Sequence, residues 1–313
     1  MNVLEPNLQS LVAPISREDF LRDYWTRKPL FVKGYADRLR GLVEELGSLQ
    51  LTALLAQSQR LQIWNETHLE GPVLPVSLDR ALDAYYNRGA TLYFHLCPQA
   101  PARRWIAELE KDLGQPDLGA HFSLFAVRAG HGTDLHYDRN ENFTIQLRGT
   151  KCWQVRENWF LQSPDSNWHV GGSAPAYCDP LQVPTEEVLP DATQYVLEPG
   201  SMLYVPRGYL HLVTAAEEDS LSCNLMFPTL LWGEALLYIL RSRLLAHAAL
   251  RKSVVGAFGS AWNLSECIPE LEESSALLRK CVDEVDAKTL TRLMSDPSVG
   301  DDLRRGLDAF FGG

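Results

Sequence analysis

His136, Asp138 and His211 are residue types whose spacing can build an open-sided metal site. The first two lie in Leu135-His136-Tyr137-Asp138, a stretch that reads as β-strand, where residues two apart project to the same face. An imidazole and a carboxylate then point into one space. His211 comes far downstream, after Glu198-Pro199-Gly200-Ser201 and Met202-Leu203-Tyr204-Val205-Pro206, which read as a turn, a strand and a second turn. Two histidines and one carboxylate occupy one face of an octahedral ion and leave three positions open, which suits Fe(II) oxygen chemistry. A closed structural zinc site would take four protein ligands, usually including thiolate.

Two further features bear on chemistry. After Asp138, residues Asn142, Thr144 and Gln146 share one strand face and Phe143, Ile145 and Leu147 the other. A polar inner face would mark a ligand cavity, whereas an apolar inner face would leave the polar one to water. The pattern alone leaves both open. Lys151 follows the Arg148-Gly149-Thr150 turn and shares its face with Trp153 and Val155. An inward lysine among large apolar residues needs an anion, such as the far carboxylate of a dicarboxylate. An outward one is an ordinary surface residue.

The elements that must position these groups change character along the chain. Ser16 followed by Glu18, Asp19, Phe20, Leu21 and Trp25 predicts a capped helix ended by Lys28-Pro29, with a short strand over 30–32. Helices are predicted over 39–46, 51–56, 78–86 and 103–113, and strands over 61–64 and 91–96. From 121 to 227 short strands dominate: 122–127, 135–138, 143–147, 152–155, 194–197, 202–205, 210–214 and 221–227. Such a run without intervening helices predicts a mainly β core, a double-sheet jelly roll or related barrel. Residues 157–192 interrupt it as a long Pro- and Gly-containing loop carrying Trp159, Trp168, His169 and Tyr177. Loops of this length are more often functional lids than accidents. After Pro228 helices are expected over 232–251, 271–285, 289–294 and 301–311. The expected divisions are 1–118, an N-terminal α/β elaboration; 119–228, the core; and 229–313, a C-terminal helical region expected to mediate homodimerisation.

The bulk properties exclude some roles. The 313 residues are 45% hydrophobic and 22% charged, an ordinary composition for a soluble protein. A net charge of -11 argues against nucleic-acid binding, although Arg103, Arg104, Arg241, Arg243, Arg251 and Lys252 could form a local patch. No apolar run approaches membrane-spanning length. Six cysteines (Cys97, Cys152, Cys178, Cys223, Cys267 and Cys281) form no CxxC pair, and Met1–Ser10 shows no signal-peptide pattern. A cytoplasmic location is expected. Of the other histidines, His131 reads as a loop residue and His169 as a lid residue, while His68, His95, His121 and His247 have no evident partner.

His136-Tyr137-Asp138-Arg139-Asn140-Glu141-Asn142-Phe143, continuing through Gln146, Gly149 and Lys151, resembles the JmjC-type (cupin-like) 2-oxoglutarate oxygenases, particularly the asparaginyl hydroxylase acting on hypoxia-inducible factor. Leu197-Glu198-Pro199-Gly200 with Leu203-Tyr204-Val205-Pro206, Gly208 and His211 is similar to the second half of that signature. Asp19-Phe20-Leu21-Arg22-Asp23-Tyr24-Trp25 with Lys28-Pro29-Leu30 resembles the bacterial ribosomal-protein hydroxylases of the family. The likeness spans about residues 15–228 and implies a double-stranded β-helix. It implies Fe(II) held by His136, Asp138 and His211, and 2-oxoglutarate as cosubstrate gripped by Lys151 and Thr133, with Asn142 and Asn224 near both. It further implies dioxygen consumption and hydroxylation of an amino-acid side chain in a protein or peptide. A free or carrier-tethered amino acid is the alternative substrate, demethylation an alternative outcome, and a metal-binding cupin scaffold the non-enzymatic alternative. The stretch after Pro228 is too short for both the dimerisation helices and the winged helix of the bacterial hydroxylases.

Overall fold

The computed structural model describes residues 7–34, 37–64, 76–96, 100–115, 118–253 and 264–286, with 288 and 291. The first part alternates helices and strands: α1 (Leu8–Val12), α2 (Arg17–Asp23), β1 (Leu30–Val32), α3 (Asp37–Gly47), α4 (Leu51–Ala56), β2 (Ser58–Ile63), α5 (Leu78–Arg88), β3 (Leu92–Leu96) and α6 (Ala100–Leu113). The caps follow side-chain chemistry. Ser16 Oγ accepts from Asp19 N at 3.0 Å to start α2, and Gly89, at φ +67°, ends α5.

Strands then follow almost without helices: β4 (His121–Val127), β5 (Gly132–Tyr137), β6 (Glu141–Arg148), β7 (Lys151–Arg156), β8 (Trp168–His169), β9 (Thr193–Leu197), β10 (Met202–Val205), β11 (Leu210–Ala215) and β12 (Ser220–Phe227). Among the described residues they form two antiparallel sheets. The larger runs β1-β10-β6-β12-β4-β3-β2 and the smaller β8-β5-β11-β7-β9. The core is a jelly roll. The N-terminal β1, β2 and β3 are strands of its larger sheet. Neither α1 nor β8 is visible in the sequence pattern, because five residues and two residues are too short to show a period.

Alternation assigns each strand's residues to layers. Phe143, Ile145 and Leu147 of β6, with Leu221, Cys223 and Leu225 of β12, join the main apolar cluster with Leu8, Phe20, Leu54, Ala84 and Trp105 of the helices. Their neighbours Asn142, Thr144, Gln146, Ser222 and Asn224 are also buried, on the face turned toward the smaller sheet. The polar face of β6 is therefore the inner one. A helical layer covers the other face, which is why both faces of this strand are dry.

Between the sheets, Trp153, Val155, Leu197, Leu203, Val205 and Val213 fill one end. On the outer face of the smaller sheet, Leu135, Tyr137 and Leu210 pack beneath Phe160, Leu161, Trp168 and Leu189 of the 157–192 loop. A buried carboxyl ties the N-terminal helices to the barrel. The Tyr204 hydroxyl donates to Glu141 and accepts from Thr26 N at 2.8 Å, while burial raises the Glu141 carboxyl above its ordinary range.

The chain divides into two units, Met1–Gln115 with Gly119–Thr229, and Pro116–Leu118 with Leu230–Gly313. The second contains α7 (Trp232–Ala246) and α8 (Leu264–Asp283), which contact each other, with Arg243 3.6 Å from Glu284. Helix α7 stops at an extended His247, short of the 251 expected, and a 3₁₀ turn follows over Ala248–Arg251. Apart from Thr291, the helices expected over 289–294 and 301–311 lie outside the described residues. So do His68, Cys97, and the side chains of Arg103, Arg104 and Cys267.

Candidate metal centre and cosubstrate cavity

His136, on β5, and His211, on β11, are directly paired across the smaller sheet, so both rings rise from one register position. Their centroids are 4.0 Å apart. Asp138 stands one residue past the end of β5, where the alternation continues, and its Oδ2 is 3.8 Å from His211 Nε2. The three candidate ligand atoms lie within 4.8 Å of one another, and among the described residues this is the one such group. His136 Nδ1 donates to Asp134 O at 2.6 Å and His211 Nδ1 to Tyr209 O at 2.9 Å. These bonds fix both tautomers and direct both Nε2 lone pairs at the shared space, the way carbonyls orient metal-ligating imidazoles. Burial, then the neighbouring His211, holds His136 well below the usual histidine range, so it stays neutral. Burial raises the Asp138 carboxyl.

Thr133 and His136 are three apart, which in regular β would turn them to opposite faces. They share one because β5 carries a bulge. His136 pairs with His211 and Thr133 with Val213, so Asp134 and Leu135 together oppose Leu212. Gly132 is required just before it, since a Cβ there would sit 1.7 Å from Val213 O. Gly149, at φ +68°, turns the chain into β7 so that Lys151 begins that strand facing inward.

All seven candidate site residues line one cavity: Thr133, His136, Asp138, Asn142, Lys151, His211 and Asn224. It encloses about 530 Å³ of space between atoms, including its open mouth. The Lys151 ammonium is buried, donates to Ser222 Oγ at 2.7 Å and lies 5.8 Å from the Phe125 ring centre. Burial pushes it down to about 7. Around it, Thr133 Oγ1, Asn142 Oδ1, Asn224 Oδ1 and Trp153 Nε1 are sealed from solvent without a hydrogen-bond partner. A buried cation with unsatisfied donors beside it is a fit for a carboxylate, and the three clustered ligand atoms are a fit for a divalent ion.

Sequence reasoning placed Trp153 on the Lys151 face but missed the other aromatic walls. Trp64 stands 5.1 Å from His136, and Trp153 stacks on His211 at 5.3 Å and 22°. Tyr93 also lines the cavity, its hydroxyl 2.9 Å from His95 Nε2 and 3.3 Å from His121 Nε2. His95 and His121 thus have a partner, invisible without the sheet pairing of β3 with β4. Between a lid and packing on the barrel, the two roles open to the loop aromatics, Trp168 takes the second. Trp168 is buried behind β5, Trp159 stacks under Arg156 at 4.5 Å, Tyr177 is 80% exposed, and none borders the cavity. The loop is held down by its own apolar residues on the outer face of the smaller sheet.

Comparison with known proteins identifies relatives of the chain. A model of the JmjC domain matches residues 117–230. The chain is 30% identical over 269 residues to the uncharacterized protein YxbC of Bacillus subtilis, covering 81% of this chain and 80% of that one. It is 24% identical over 245 residues to ribosomal oxygenase 2 of Rattus norvegicus, covering 73% of this chain and 49% of the rat protein. The chain thus spans about half the length of that relative. A structure of the ribosomal oxygenase YcfD from Escherichia coli in complex with cobalt and 2-oxoglutarate is 18% identical, with a TM-score of 0.46 over 90% of this chain and 70% of the other. With the domain match centred on the jelly roll and YxbC aligned over four-fifths of its length, the chain belongs to the JmjC-domain family.

Proposed function

We propose that the protein is an Fe(II)- and 2-oxoglutarate-dependent dioxygenase that hydroxylates a side chain of a protein or peptide. The observation that carries this reading is the single cavity holding both a triad of metal-ligand type and a buried lysine paired with a neutral hydroxyl. The relatives named as ribosomal oxygenases, and one named bifunctional lysine-specific demethylase and histidyl-hydroxylase, support a protein substrate.

His136 Nε2, Asp138 and His211 Nε2 would hold the iron. Lys151 and Thr133 would take the far carboxylate of 2-oxoglutarate, with the Trp153 indole N–H as a further donor on the same wall. When bound, iron and cosubstrate supply the oxidising chemistry: dioxygen is consumed, 2-oxoglutarate becomes succinate and carbon dioxide, and one oxygen atom enters a substrate C–H bond. The chain's own part is orientation and exclusion of water. The Asp134 and Tyr209 carbonyls accept from the two Nδ1–H groups and so orient both rings. Trp64, Phe125, Trp153 and Val213 wall the site in apolar surface, and Asn142 and Asn224 present acceptors near the triad.

Purified protein supplied with Fe(II), ascorbate and 2-oxoglutarate should release succinate slowly without a substrate. With the right protein or peptide, mass spectrometry should show a gain of one oxygen atom. Stoichiometric metal binding with neither 2-oxoglutarate binding nor succinate would instead favour a cupin scaffold.

The C-terminal helices are proposed to form a homodimer. Trp232 and Leu237 of α7 are 67% and 64% exposed, and Leu278 and Val282 of α8 are exposed as well, apolar side chains a second copy could cover. Light scattering at micromolar concentration should read twice the chain mass, and a monomer there would overturn the proposal. The free thiols of Cys152, Cys178, Cys223 and Cys281 support a cytoplasmic location.

A further inference from the structure

The β5 bulge is where cosubstrate anchor and metal ligand are brought to one face, and a bulge leaves backbone groups out of the ladder. Its second residue, Leu135, is served entirely by the 157–192 loop. Leu135 N donates to Glu187 Oε2 at 2.7 Å, Val170 N donates to Leu135 O at 2.8 Å, and the Leu135 side chain packs with Trp168 and Leu189. Its first residue, Asp134, supplies the carbonyl that orients His136. The same loop adds β8, whose His169 pairs with His136, and Asn167 Oδ1, which accepts from Arg139 N at 2.8 Å.

We infer that Glu187 is a positioning residue: its carboxylate holds the Leu135 amide so that Thr133 and His136 stay in register, coupling the loop's seating to the cosubstrate and metal sites. The inference rests on the iron and 2-oxoglutarate reading above. Glu187 touches neither group and acts through the backbone of β5. A carboxylate is suited to the task because charge-assisted bonds to an amide are short and strong, yet it stands at the surface, where a change in the loop can withdraw it. Without it, the Leu135 amide has no ladder partner, and the bulge can relax toward regular pairing, which would turn Thr133 away from Lys151.

The test compares Glu187→Ala and Glu187→Gln in the full chain, using Co(II) as the metal probe. Glu187→Ala should weaken 2-oxoglutarate binding several-fold, shift the Co(II) absorption spectrum, and speed hydrogen exchange at the Leu135 amide, while thermal unfolding stays cooperative. Glu187→Gln retains an acceptor oxygen and should restore all three. Wild-type 2-oxoglutarate affinity and Co(II) spectrum in Glu187→Ala would overturn the inference, as would a glutamine variant no better than alanine. If the wild-type protein bound neither Co(II) nor 2-oxoglutarate, the functional reading would fall and this inference with it. The two failures are therefore distinguishable.

Discussion

Replacing Lys151 with alanine raises the 2-oxoglutarate concentration for half-saturation by about thirty-fold or more, while Co(II) binding stays as in the wild type. Truncating one partner of a buried charge pair costs about 2 kcal/mol upward, and each 1.4 kcal/mol is a factor of ten. Lys151 is 2% exposed and has Ser222 as its hydrogen-bonding partner, so the incoming carboxylate would be its counter-charge. The same burial sets a pH dependence. The unliganded ammonium titrates at about 7, so above that pH a growing share of the protein carries a neutral lysine. A dicarboxylate selects the cation, and affinity should fall roughly ten-fold per pH unit above about 7, with uptake of one proton on binding. Calorimetry in two buffers of different ionisation enthalpy reads that proton. The sign for folding is the reverse. Between about 7 and the ordinary lysine value of 10.5 the unfolded chain holds the proton that the folded one has lost, so this group makes the cosubstrate-free protein more stable as pH rises through that window. Unchanged 2-oxoglutarate affinity in Lys151→Ala would remove the lysine from the site.

Replacing Asp138 with alanine, or His136 with alanine, abolishes stable metal binding, lowering Co(II) affinity by more than about a hundred-fold. That exceeds the ten- to hundred-fold typical of changes behind the ligands. Asp138 matters most because it brings the triad's one carboxylate, the group that can offset the charge of a divalent ion. Asp138→Asn keeps the shape and loses the charge, so it should bind nearly as poorly as alanine. Both histidines are preset by the Asp134 and Tyr209 carbonyls, so the loss in His136→Ala reflects a missing ligand and not a rearranged neighbour. Removal of metal by a chelator should abolish succinate release, and Fe(II) should restore it. Wild-type-like metal binding in both alanine variants would overturn the assignment of the centre.

The sequence by itself determined the strands of the core and the juxtaposition of His136 with Asp138. Period-two alternation and Gly and Pro punctuation are local properties, and two residues apart in a strand is a fixed geometric relation. It also pointed to His211 and Lys151, because the residue types that do this chemistry are few and the motifs around them specific. Three matters were settled by tertiary structure alone. The inner face of β6 is polar because a helical layer, remote in sequence, dries its other face, and one strand's alternation cannot say what covers it. For the loop aromatics, which the sequence leaves open between a lid and packing on the barrel, the structure packs Trp168 on the outer face of the smaller sheet and leaves Trp159 and Tyr177 exposed. The family resemblance named Thr133, but the means by which it shares a face with His136 is a bulge, which exists only as a mismatch between two paired strands and has no signature within either one.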